Sequence, residues 1–215
     1  MPKRDKPPFQ YRSNASLRRG APSREPRAYV LIVCEGEKTE PNYFKALRED
    51  KKLKTTEVKV IGEECGSHPR DVVDFAVKEK RRQERKGIPY NQVWCVFDRD
   101  EHSKIHEAFD RAKAHGIEIA FSNPCFELWF LLHFINYSSA HIERDEVDRQ
   151  LRNSHIPGYE VSMQVYDLLI ELQQNAIRNA ERLRIHHESV NPGEYPNPYT
   201  SVDRLVAFLN YLEQP

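Results

Sequence analysis

Residues 28–34, AYVLIVC, form an uninterrupted apolar run that is too short for a helix and lacks the alternation of a strand with one wet face. Such a run predicts a strand covered on both sides, the hallmark of a parallel sheet sandwiched between helices. The rest of the chain follows suit. TEVKVIG (56–62) alternates and predicts a second strand nearer an edge, QVWCVF (92–97) a third and IEIAFS (117–122) a fourth. Between them lie helical patterns. After Cys34, Gly36 permits a tight turn, Thr39 is a capping residue, Pro41 suits a first helical turn, and Tyr43, Phe44 and Leu47 share one face. Val72, Val73, Ala76 and Val77 make the next stripe, ended by Gly87, and Ile105, Ala108, Phe109 and Ala112 the third, ended by Gly116. Asn123 is placed to cap a fourth helix that begins at Pro124 and runs through PCFELWFLLHFINY. Strand and helix alternate four times, which predicts a mostly parallel four-stranded α/β sheet of the Rossmann-like kind.

The alternation ends near residue 138. Segments 142–153, about 160–189 and 200–213 have helical patterns, separated by IPG and the proline-rich NPGEYPNP. The expected organisation is therefore a basic tail over 1–27, an α/β core over 28–138, and a helical portion over 139–215 packed on that core. The tail carries eight Lys/Arg against two acidic residues, so the neutral whole leaves the remaining 188 residues at −6. The tail has no apolar run and several prolines, a composition that buries too little surface to offset the entropy of ordering. An acidic folded part is not the broad basic surface of a stand-alone nucleic-acid binder. No signal-peptide segment and no run of about 18 apolar residues is present, so a cytoplasmic protein without a membrane span is expected. Cys34, Cys65, Cys95 and Cys125 form no C-x-x-C pair, which fits small apolar residues in a reducing compartment better than a zinc site.

The strand ends carry the chemistry. Glu35 follows the first strand, Asp98 and Asp100 follow the third, and Glu127 lies in the helix after the fourth. If strands one and three are neighbours, these carboxylates share one rim of the sheet, where ligands of open α/β sheets bind. The pleat turns Asp98 and Asp100 to one side and Arg99 to the other. Carboxylates gathered so closely repel one another, and an oxygen-only set suits Mg²⁺ or Mn²⁺. Plainer accounts stand beside this one. Asp is a common helix cap, and acids such as Glu35 and Glu37 are favoured near a helix N-terminus whatever their function. Glu127 is harder to explain so, because Phe126, Leu128, Trp129, Phe130, Leu131 and Leu132 leave its helix almost no polar face. A carboxylate buried there needs a partner. On the same helix His133 reads as a core histidine. His186 and His187 lie in an exposed-looking helix, and KEKRRQERK (78–86) reads as a solvated helix end before a phosphate surface.

Val33-Cys34-Glu35-Gly36 and Phe97-Asp98-Arg99-Asp100 resemble the two motifs of Toprim domains, the catalytic domains of topoisomerases, primases and a group of nucleases. LIVCEGEKTEPNYF, VWCVFDRDEH, FSNPCFELWFLLHF and the later NPYTSVDRLV together resemble the RloB-like (AbiLii-type) family over about residues 28–210. The resemblance implies a Toprim-like fold and a metal-dependent nuclease of phage-defence (abortive-infection) modules, encoded beside an ABC/AAA-type ATPase. It implies Glu35 as general acid/base or ligand and Asp98 and Asp100 as Mg²⁺ ligands. It leaves Glu127 a catalytic candidate, with Glu37 and Glu40 as secondary acids after the E-G pair. Lys38 and Arg99 are candidates for phosphate contacts with an RNA or DNA substrate. Two other functions use the same residues: a non-catalytic adaptor or sensor in such a module, and a Mg²⁺-dependent phosphohydrolase or nucleotidyltransferase acting on a small nucleotide.

Overall fold

A computed structural model of the chain describes residues 28–60, 68–99, 105–137, 141–190 and 196–213. Asp100, Cys65 and the basic tail lie outside the described residues. Strands β1 (Val30–Cys34), β2 (Thr56–Val60), β3 (Gln92–Asp98), β4 (Glu118–Asn123) and β5 (Tyr199–Thr200) form one sheet in the order β2-β1-β3-β4-β5. The first four are parallel and β5 is antiparallel to β4. β2 is an edge strand, as its alternating sequence predicts. The fifth strand corrects the expected four. Its two residues directly follow a proline-rich stretch and are too few to show any period, and pairing of Ser122 with Thr200 and Asn123 with Tyr199 defines it.

β1 is fully buried, and its residues alternate between two cores. Val30, Ile32 and Cys34 face one side with Trp94, Val96 and Ala120; Leu31 and Val33 face the other with Val93, Cys95, Phe97 and Phe121. On the second side pack α2 (Pro69–Arg85) and α3 (Ile105–Ala114) through Val72, Val73, Ala76, Ile105, Ala108 and Ala112. On the first side pack α1 (Thr39–Asp50), through Tyr43, Phe44 and Leu47, and α4 (Glu127–Leu131). Joining them there are α5 (Arg144–Gln150), α6 (Tyr166–Leu169), α7 (Gln173–Val190) and α8 (Val202–Glu213). A π-helical turn, Leu151–His155, extends α5, and a short 3₁₀ turn, Ile170–Leu172, links α6 to α7. The C-terminal helices thus share the core of α1 and the sheet.

Two expected caps are not caps. Asn123 ends β4 and its amide donates to the Pro196 carbonyl, while α4 starts four residues later without a side-chain cap. Thr39 is already the first residue of α1, and its hydroxyl points to other elements. The helix predicted over 124–137 contracts to one short helix followed by turns; its apolar residues are buried all round, so their pattern sets no helical stripe and marks no end. His133 is a core residue: its Nδ1–H donates to the Trp129 carbonyl at 2.9 Å, and burial lowers its pKa to about 4, so the ring is neutral.

Candidate active site at the β1–β3 switch point

The chain leaves β1 toward α1 on one face of the sheet and leaves β3 toward α3 on the other. The connections therefore diverge between two adjacent strands, which opens a crevice at their carboxyl ends. The crevice has a volume of about 330 Å³ and is lined by Glu35, Glu37, Lys38, Glu40, Asp98 and Glu127, together with Gly36, Thr39, Arg144, Asp148 and Val161. The acids that end three different strands in sequence thus line one cleft. Arg99 is exposed, outside that lining, and its backbone N–H donates to the Ser122 carbonyl.

Backbone geometry sets the first motif. The Glu35 N–H donates to the Val96 carbonyl at 2.9 Å, which extends the β1–β3 pairing by one residue and fixes where the E-G pair begins. Gly36 leaves room for a close approach. A Cβ there would sit 2.1 Å from Glu40 Oε2, far inside contact distance. Glu40, on the first turn of α1, therefore folds its carboxyl back over the glycine. Only 6% of it is exposed. Burial first, and then the neighbouring Asp98 and Glu127 charges, push its pKa up to about 8, although a backbone hydrogen bond and Arg144 pull the other way.

Asp98 is the last residue of β3 and continues the side of the strand used by Trp94 and Val96. Its Oδ2 accepts from the Phe126 N–H at 3.3 Å and from Arg144 Nη2 at 3.1 Å. Glu127 opens α4 and is 5% exposed. Its Oε1 accepts from Thr39 Oγ1 at 3.1 Å and from the Tyr159 hydroxyl at 3.4 Å. The single Thr39 O–H is shared with the Val161 carbonyl, at 3.2 Å, and through Thr39 and Tyr159 α1 and the segment around 159–161 meet α4 at one carboxylate. Burial and then the Glu127 charge raise the Tyr159 pKa, which keeps its phenol a donor. Asp148, one turn after Arg144 on α5, has Oδ1 buried with no hydrogen-bond partner among the described residues. Burial and then Glu127 raise its pKa against the pull of Arg144 and Arg152.

Arg144, Asp148 and Tyr159 are absent from the motifs at the strand ends, and Thr39, which lies in the first of them, reads there only as a cap. Part of the signal was there to read: Arg144 and Asp148 are spaced i, i+4, so one face of α5 presents both. Tyr159, in an irregular segment, carries no comparable mark. The chemistry of the cleft fits a hard divalent cation, since its donors are carboxylate oxygens, one of them buried and unsatisfied. Among the described residues, however, no three His, Cys, Asp or Glu side chains are gathered closely enough to hold a metal ion.

The fold and the cleft define an α/β protein with an acidic site at a topological switch point. Residues 30–209 match the model of the RloB-like protein family, and the chain belongs to that family. No protein of curated function and no solved structure matches it. No helix among the described residues is long and apolar enough to cross a membrane.

Proposed function

We propose that this chain is a Mg²⁺-dependent nuclease of the Toprim type, the phosphodiester-cleaving effector of a phage-defence module that works with a partner ATPase. The observation that carries the reading is the convergence of Glu35, Glu40, Asp98 and Glu127 from three strand ends into one cleft. Family membership and the E-G and D-R-D motifs support it. Glu35, Asp98, Asp100 and Asp148 are the carboxylates that would hold the cation. When bound, a divalent cation neutralises phosphate charge and lowers the pKa of an attacking water.

The chain's own residues supply the remainder. Glu35 accepts the proton of the attacking water, and Glu40, protonated at neutral pH, carries one beside Asp98. Thr39 and Tyr159 both donate to Glu127 Oε1, which anchors one oxygen of that carboxylate. Lys38, which lines the cleft, would draw in a phosphate. The volume of the cleft, at the low end of the range for small-molecule sites, favours a second reading, hydrolysis or transfer on a small nucleotide.

Purified chain incubated with single-stranded, duplex and transfer RNA, with DNA, and with nucleoside triphosphates separates these readings. The nuclease reading expects Mg²⁺- or Mn²⁺-dependent polymer cleavage that Asp98→Asn lowers by at least ~100-fold, as loss of a ligating carboxylate does. Turnover of nucleotides alone selects the second reading. Phage protection that survives Asp98→Asn selects the adaptor.

A further inference from the structure

Arg144 stands at the wrong end of its helix for ordinary electrostatics. It is the first residue of α5, where the positive end of the helix disfavours a cation, and Asp145 and Glu146 follow it as the favoured charges. Its side chain reaches across to the cleft, where Nη2 donates to Asp98 Oδ2 at 3.1 Å. The pair is lopsided: the Asp98 side chain is 10% exposed and that of Arg144 45%. The acid is fixed at the end of β3, while the guanidinium reaches it from the open side. A guanidinium that reaches a buried acid from solvent is free to turn to another anion once a second cation takes its place on that acid. The guanidinium also lies close enough to oppose the charge-driven rise in the pKa values of Glu40 and Asp148, which places it at the electrostatic centre of the acids.

We propose that Arg144 is the phosphate arm of the cleft. At rest its guanidinium neutralises Asp98 and occupies the approach to that carboxylate. Once Asp98 is given over to a divalent cation, the fork turns to the oxygens of a substrate phosphate, for which its planar donors are suited. No covalent bond changes; one charge-assisted hydrogen bond is exchanged for another. The carboxylates line one cleft but the described ones are not gathered as a ligand set, and Arg144 is the cation that rests on one of them. The proposal rests on the phosphodiesterase reading for its cation, and on the ion pair alone for its arm.

Calorimetric titration of the full chain, Arg144→Ala and Arg144→Lys tests it, first with Mn²⁺ and then with inorganic phosphate in the presence of Mg²⁺. Arg144→Ala should bind Mn²⁺ several-fold more tightly, because Asp98 loses its competitor, and bind phosphate about tenfold or more weakly. Arg144→Lys, which keeps the charge without the fork, should recover part of the phosphate affinity and so exclude misfolding as the cause. Unchanged phosphate affinity in Arg144→Ala, in a chain that binds Mn²⁺, overturns the arm and leaves the nuclease reading standing. A chain that binds no Mn²⁺ but loses phosphate affinity on Arg144→Ala retains the arm and loses the metal reading. Absence of phosphate binding in the unmodified chain overturns the arm outright.

Discussion

At Gly36 a single hydrogen stands where any side chain would meet the Glu40 carboxyl. Gly36→Ala should therefore destabilise the chain by about 1–3 kcal/mol, as overpacking of a closed site does. Gly36→Ala combined with Glu40→Ala should recover most of that loss, because the clash is with the side chain of Glu40. Urea denaturation of the two single variants and the double variant gives the coupling directly. Glu40 offers a second test. Its carboxyl titrates near 8 in the folded chain against about 4.5 for an unhindered glutamate, so the folded state prefers the proton. That preference stabilises the fold fully below pH 4.5 and is lost progressively as pH rises to 8. Glu40→Gln, which cannot ionise, should match the unmodified chain near pH 5. It should be more stable by on the order of a few kcal/mol at pH 9. Unfolding at the two pH values checks the sign, and an advantage confined to acid pH would contradict the burial argument.

At the scale of elements, the small strand β5 and the helix after it hang on a buried ion pair. Arg184 on α7 holds Asp203 on α8 through both guanidinium nitrogens, one of them at 2.8 Å, and also donates to the Thr200 carbonyl of β5. Both side chains are under 10% exposed. Arg184→Met leaves Asp203 buried without its cation and should cost about 3–5 kcal/mol, whereas Arg184→Met with Asp203→Leu should cost less. Thermal unfolding of the three proteins tests this. The same elements show what the sequence made legible. β1 to β4 could be read because segments of five to seven residues are long enough to show either an unbroken apolar run, as in β1, or an alternation, as in β2. β5 could not, since two residues carry no period and only pairing with Ser122 and Asn123 makes them a strand. Glu35, Asp98 and Glu127 were visible because each acid interrupts or ends an apolar stretch. Arg144 and Asp148 sit in RDEVDRQ, where acids and bases are what any solvated helix carries, and only the docking of α5 brings them to the cleft.

For the whole molecule, the division of the sheet into two faces decides where chemistry happens. α1 and the C-terminal helices close one side and α2 and α3 the other, so the crevice opens at the β1–β3 boundary. The C-terminal portion shares one continuous core with β1, α1 and α4, furnishes Arg144, Asp148 and Val161 to the cleft, and sets the Tyr159 hydroxyl against Glu127. A chain truncated near residue 138 should accordingly lose the site together with its stability. It would expose Phe126, Trp129 and Phe130, which are buried in the intact chain. Dye binding and the loss of a cooperative thermal transition would report that outcome. The central claim, that the acids of β1 and β3 hold a catalytic cation, meets its most direct test in anomalous diffraction from a Mn²⁺-soaked crystal. The account predicts one or more peaks between Glu35 and Asp98, with the Arg144 guanidinium displaced from Asp98; an undisturbed ion pair and no peak near either carboxylate would contradict it.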